Sequence, residues 1–216
     1  MLSFAEEIML LLLEDEDGRM IHVPELSMRC VLAGAVLMEL ALANKVDTDL
    51  EKLMILDTEK TGDEMLDLVL ERIDAANRVD TARYWVEHLA RDADTLRSMA
   101  LDRLVAKGIL NRVDDRLLWV FKTRRYPMVD GSAEREVRLR IMDILFRDII
   151  PEPRDIVIIC LVDACNIFKH LLTERDHKLA ADRIRQCRQM DLIGQAVSKS
   201  VRDIEASLAI ALHPPF

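Results

Sequence analysis

Residues 155–172, "DIVIICLVDACNIFKHLL", decide the fold class, because they form the most apolar stretch of the chain and are interrupted by Asp163, Asn166 and Lys169. A membrane-spanning helix needs roughly 20 mostly apolar residues, and these polar breaks leave too few. The stretch instead predicts a helix that is apolar nearly all round and buried at the centre of a helical protein. "PEPRD" just before it ends one helix and opens the next, since proline cannot continue a helix but suits a first turn.

Working outward from this centre, most long segments repeat apolar residues at helical spacing. On the N-terminal side, Ser132 is the expected cap of a helix over Ala133–Ile149. On the C-terminal side, "ERDHKLAADRIRQCRQM" and "DLIGQAVSKSVRDIEASLAIAL" predict two further helices. Nearer the start, Phe4–Glu14 predicts a first helix with Ser3 as cap, and Glu6 and Glu7 sit where the macrodipole favours negative charge. Glu25–Ala43 predicts a second helix, and "KVDTDLEKLMILD" a hairpin. A helix then follows the Thr-Gly-Asp turn, with Met65, Leu66, Leu68, Val69 and Ile73 facing inward. Residues 81–108 hold two helices, with Asp92 to Asp94 as the break and Gly108 as the terminal stop. The expected fold is mainly α: a single globular helical domain over residues 1–216, built around a central hydrophobic helix with short β-hairpins at its periphery.

Half of the 216 residues are apolar, enough for a sizeable core, and the formal net charge is −9. Such a surface does not attract nucleic acid or anionic lipid as a whole, so any such partner must meet a local basic patch. The N-terminal apolar run lies between carboxylates, unlike a secretory signal. Cys30, Cys160, Cys165 and Cys187 lack C-x-x-C pairing and read as structural thiols of a reducing compartment. No phosphate-cradling glycine loop, G-x-S-x-G or H-E-x-x-H is present. His170 and His177 flank Glu174 on what reads as a solvated polar stripe rather than a metal site. The expectation is a protein without a cofactor, a metal or a catalytic step.

The segment Leu104–Pro127 reads as a helix exit, a strand, a tight acidic turn, an apolar strand Leu117–Phe121, and a basic cluster of Lys122, Arg124 and Arg125. Alternation puts Leu117, Trp119 and Phe121 on one side of that strand and Leu118 and Val120 on the other, so both faces are apolar. One face packs on the helices; the other meets more core, a second subunit or lipid. The same pattern fits the wing of a winged-helix DNA-binding domain. Against that, the would-be reading helix offers Arg97 and Arg103 but also Asp94 and Asp102, which a duplex repels. Trp suits a membrane interface, and the cations lie within a few residues of it. Three cations at roughly 1 kcal/mol each and one ring at about 2 kcal/mol total around 5 kcal/mol, a reversible attachment on the order of 0.1 mM.

Five stretches in order, "LSFAEEIMLLLLEDEDG", "LAGAVLMELALANKV", "TGDEMLDLVLERI", "YWVEHL" and "LVAKGIL", resemble the Golgi phosphoprotein 3 family of phosphatidylinositol-4-phosphate-binding peripheral membrane proteins, across nearly the whole chain. The resemblance implies a mostly helical domain around a central hydrophobic helix. It also implies that a hairpin matching Asn111–Phe121 serves membrane insertion or oligomer contacts, in an adaptor that retains glycosyltransferases and links to coatomer. The family's lipid-pocket positions fall on Pro24, Ala33, Asp94 and Arg97, and only Arg97 keeps the family's residue. Arg29 lies one turn before Ala33 on the same helical face, and Arg124 and Arg125 are a second source of positive charge. The chain begins at its first helix, so the coatomer link of a basic tail is not carried over and a prokaryotic member is expected. The expected partners are an anionic phospholipid surface on the cytoplasmic side of a membrane, client proteins and further copies of the chain. The alternatives are a winged-helix-like regulator that binds nucleic acid, and an oligomeric protein scaffold without lipid affinity.

Overall fold

The computed structural model describes residues 1–13, 18–49, 52–117, 121–147, 149–196 and 199, with the backbone alone at 114–117 and 121–124. Within these residues the protein is mainly α: α1 Phe4–Leu11, α2 Glu25–Leu42, α3 Glu64–Ala75, α4 Ala82–Leu89, α5 Ala93–Ala106, α6 Ser132–Phe146, α7 Pro153–Ala164, α8 Phe168–Leu171 and α9 Glu174–Gln189. Two antiparallel hairpins join them, β1 Val46–Thr48 with β2 Leu53–Ile55, and β3 Val113–Leu117 with β4 Phe121–Arg125. A 3-10 turn, Ala90–Asp92, links α4 to α5, earlier than the expected break at Asp92 to Asp94, since Asp94 already belongs to α5.

Helix α7 is buried as its composition predicts, with Val157 through Val162 inside. It is shorter than the apolar stretch, however, because Asn166 adopts φ +56°. Asn166 N–H then bonds the Asp163 carbonyl (3.0 Å) and Ile167 N–H the Val162 carbonyl (3.0 Å), which ends the helix. Asn44 and Asn77, the other non-glycine residues at positive φ among those described, sit just past α2 and α3 in the same way. Asparagine tolerates the left-handed region better than other side chains that carry a Cβ. Gly108 does the same for α5, its N–H on the Val105 carbonyl (2.9 Å) and Ile109 N–H on that of Leu104 (3.0 Å). The helix that touches most others is α2, which packs against α1, α3, α4, α5 and α7 and buries Cys30 through Met38 without interruption.

One expected helix start differs in detail. Ser132 is the first residue of α6 rather than its cap; Asp130 Oδ1 accepts from both its N–H (2.8 Å) and its hydroxyl (2.7 Å). Ser3 does cap α1, in a reciprocal box with Glu6. All eight residues of α1 are buried, including Glu6 and Glu7, so these carboxylates do more than favour the helix dipole. Glu6 accepts from Lys107 Nζ at 2.6 and 2.8 Å. Glu7 accepts from Arg140 (2.8 Å) and Arg154 (3.4 Å), and Arg154 also reaches Glu39 (3.1 Å).

Helix α3 shows how strongly a cap can tie the shell to the core. Asp63 accepts from Met65 and Leu66 N–H (2.9 and 3.1 Å) and, bidentately, from Arg103 of α5 (2.8 Å twice). Partial burial pushes its carboxyl up, but the guanidinium and the helix N–H groups outweigh burial and hold it below the usual range. A carboxyl with a lowered folded pKa stabilises the fold above its unfolded value, about 3.9. That contribution is lost as the pH falls through the folded pKa. Asp63→Ala is expected to remove about 1 kcal/mol of capping and, with the pair discounted for its exposure to solvent, about 1 kcal/mol more. Thermal unfolding at pH 7 and pH 3 checks this: the difference between the two proteins narrows at the lower pH.

Candidate functional site

Helices α2 and α5 set their N-terminal ends side by side, and there Arg29 and Arg97, two of the four cations singled out from sequence, are found; Arg124 and Arg125 belong to β4. Arg29, four residues along α2 from Glu25, donates from Nε to Glu25 Oε1 (3.2 Å) and from Nη2 to Asp94 Oδ2 (2.8 Å). Arg97, one turn into α5, donates from Nη1 to Glu25 Oε2 (3.5 Å). One carboxylate thus spans two guanidinium groups from different helices. The arginines are less exposed than the acids, 29% and 30% against 54% for Glu25 and 64% for Asp94. Ala33, where the resemblance places a cation, is fully buried, and Pro24 is exposed. Arg29 lies one turn nearer the helix end.

A groove of about 270 Å³ opens beside this pair, lined by Leu26, Arg29, Cys30, Glu87, Ala90 and Arg91. Leu26 is 44% exposed on its rim. Burial, with Glu87 adding to it, pushes the Cys30 thiol up to about 11, so it is an apolar wall and not a nucleophile. Arg91 escaped the sequence reading, since nothing in its "LARDAD" surroundings marks it until the 3-10 turn brings it beside α2. Three arginines here face three carboxylates, Glu25, Glu87 and Asp94. The site is formally neutral, and its three acids are themselves exposed.

The second hairpin leaves the other end of α5. Its pairing is set from the base upward: Val129 N–H bonds the Ile109 carbonyl (3.0 Å) and Asn111 N–H that of Pro127 (2.9 Å). Above them Val113 faces Arg125, Asp114 faces Arg124, and Leu117 faces Phe121. The acidic pair Asp114–Asp115 therefore lies within β3 and makes no turn, and Leu117–Phe121 is not one strand but the two strand ends with residues 118–120 between them. Leu118, Trp119 and Val120 lie outside the described residues, as do the side chains of Leu117, Phe121 and Arg124. Arg125 is half-buried at the hairpin base. Next to it Tyr126 N–H bonds the Gly18 carbonyl (2.8 Å), which seats the hairpin on the connection between α1 and α2. That connection leads directly into the helix end carrying Glu25 and Arg29.

Among the described residues no helix is long and apolar enough to cross a membrane, and no group of three or more His, Cys, Asp or Glu is arranged to hold a metal ion. His170 belongs to α8 while Glu174 and His177 belong to α9, and the His177 ring packs on Phe168 with centroids 6.3 Å apart. A family model described as Golgi phosphoprotein 3 (GPP34) matches residues 4–204.

Proposed function

Since the chain belongs to the Golgi phosphoprotein 3 (GPP34) family, we propose that it is a non-catalytic peripheral membrane protein that engages anionic phospholipid head groups and holds client proteins at the cytoplasmic face of a membrane. The observation that carries this reading is the convergence of Arg29 and Arg97 on Glu25, beside a groove rimmed by exposed Leu26. Guanidinium groups in that setting pair with a phosphate bidentately while the leucine enters the interfacial layer. The hairpin, seated on the connection that leads to this end, adds Arg124 and Arg125 and, at residues 117–121, the apolar sequence Leu-Leu-Trp-Val-Phe. Contacts between copies of the chain through the same hairpin would raise the avidity of an attachment that is weak for one copy.

Co-sedimentation with phosphatidylserine-containing vesicles tests the reading. At roughly 1 kcal/mol per cation near an anionic bilayer, Arg29→Ala with Arg97→Ala is expected to weaken binding about 30-fold, and added salt weakens it further. Glu25→Gln with Asp94→Asn acts in the opposite sense, strengthening binding several-fold because the head group no longer displaces a carboxylate. Wild-type protein that fails to sediment with these vesicles at low salt, or a double arginine variant that binds as well as wild type, rules the reading out. Preference for one phosphoinositide over phosphatidylserine is read in the same assay by exchanging the lipid.

A further inference from the structure

A second groove, of about 510 Å³, lies at the far end of α4 and is lined by Arg83 of α4, Arg185 and Arg188 of α9, and Lys199, with Thr81 and with Asp49 from the β1–β2 turn. The chain as a whole carries 39 acidic against 30 basic residues. Among the described charged residues lining this groove the balance is reversed, four cations to one carboxylate. Carboxylates outside the lining pair with three of these cations. Arg83 bonds Glu87 (2.8 Å) one turn along α4, Arg188 bonds Asp163 of α7 (2.9 Å), and Arg185 pairs with Asp182 one turn back on α9. Pairs one turn apart on an exposed helix face are weak and exchange readily for a stronger anion. Thr81 adds a hydroxyl that accepts from Tyr84 N–H (3.1 Å), leaving its proton to donate.

The geometry points to a binding site for a small soluble anion of the phosphate class, with more than one negative charge. Cations from separate elements surround a space of the size that holds small ligands, and a concave wall of one sign concentrates counter-charge. Arg185 and Arg188 stand one turn apart on a single helix, spaced to take two oxygens of one ligand. A lipid head group fits less well. Among the described residues its one large apolar side chain, Leu192, is half-buried and less exposed than Leu26 at the other. The two grooves also lie at opposite ends of the eight residues of α4, about 12 Å apart along its axis.

Inorganic pyrophosphate is the probe, titrated calorimetrically into the full chain at low salt. Saturable binding is expected, weakened at least tenfold in Arg185→Gln with Lys199→Gln, two surface changes whose unaltered melting temperature shows an intact fold. Arg83→Gln, from the other wall, is expected to weaken it as well. Arg29→Ala with Arg97→Ala, which tests the membrane-facing groove, leaves pyrophosphate affinity unchanged. Absence of binding at millimolar pyrophosphate, or equal binding by the Arg185 and Lys199 variant, overturns the assignment. Displacement of pyrophosphate by phosphatidylserine vesicles overturns it in favour of a lipid site.

Discussion

Gly18→Ala is expected to lower the melting temperature by about 10 °C and to free the second hairpin from the helical body. The residue has φ +61°, where an alanine pays roughly 1–2 kcal/mol. A Cβ built there lies 2.0 Å from the Pro127 nitrogen and 2.2 Å from the Tyr126 carbonyl carbon. Both neighbours are backbone, so no rotamer change relieves the overlap and the two chains must separate. Separation breaks the bond from Tyr126 N–H to the Gly18 carbonyl. Strain of this kind adds about 2–3 kcal/mol, for a total near 4 kcal/mol, and a chain of this size loses roughly 2–4 °C per kcal/mol. Hydrogen exchange supplies the second readout: the amides of β3 and β4 exchange faster while those of α2 and α7 keep their protection. Wild-type stability together with wild-type exchange in the hairpin would show that the close approach is not real.

Arg154→Met is expected to cost about 3–5 kcal/mol at pH 7.5, and less as the pH is lowered toward 5. Arg154 bonds Glu7 and Glu39, donates to the Leu2 carbonyl and lies over the Phe4 ring at 4.2 Å. Methionine replaces much of its volume but none of its charge. Glu7, 2% exposed, is left with Arg140 alone, and an under-compensated buried charge is among the most destabilising single changes. Burial already pushes the Glu7 carboxyl above its usual range, against the pull of Arg140 and Arg154, and loss of one arginine pushes it higher. A raised folded pKa means that the carboxyl's contribution to stability is present below its unfolded value, and is lost as the pH rises through the folded one. The variant's deficit therefore shrinks on acidification, as Glu7 takes up its proton. Chemical denaturation at the two pH values measures it, and an equal deficit at both would assign the effect to packing alone.

This network also explains why α1 tolerates complete burial. Its sequence reads as an apolar run with acids in the first turn, where the helix dipole favours them. The partners of those acids lie more than a hundred residues away, Lys107 for Glu6 and Arg140 and Arg154 for Glu7. No window of sequence long enough to show helical period can contain both members of such a pair.

The sequence alone determined the helical class, most helix positions, the cap at Ser3, the stop at Gly108 and membership of the family, because apolar period, capping chemistry and motif order are properties of neighbouring residues. It also contained, unread, the asparagines that end α2, α3 and α7. Only the tertiary structure decided that Arg29 and Arg97, 68 positions apart in the chain, share Glu25, and that Arg91 joins their groove. It alone set the hairpin register from its base and gathered cations from α4, α9 and Lys199 into a second groove. These outcomes depend on which helix faces meet and at which ends, and that choice belongs to the packing of the whole core, which no local pattern encodes.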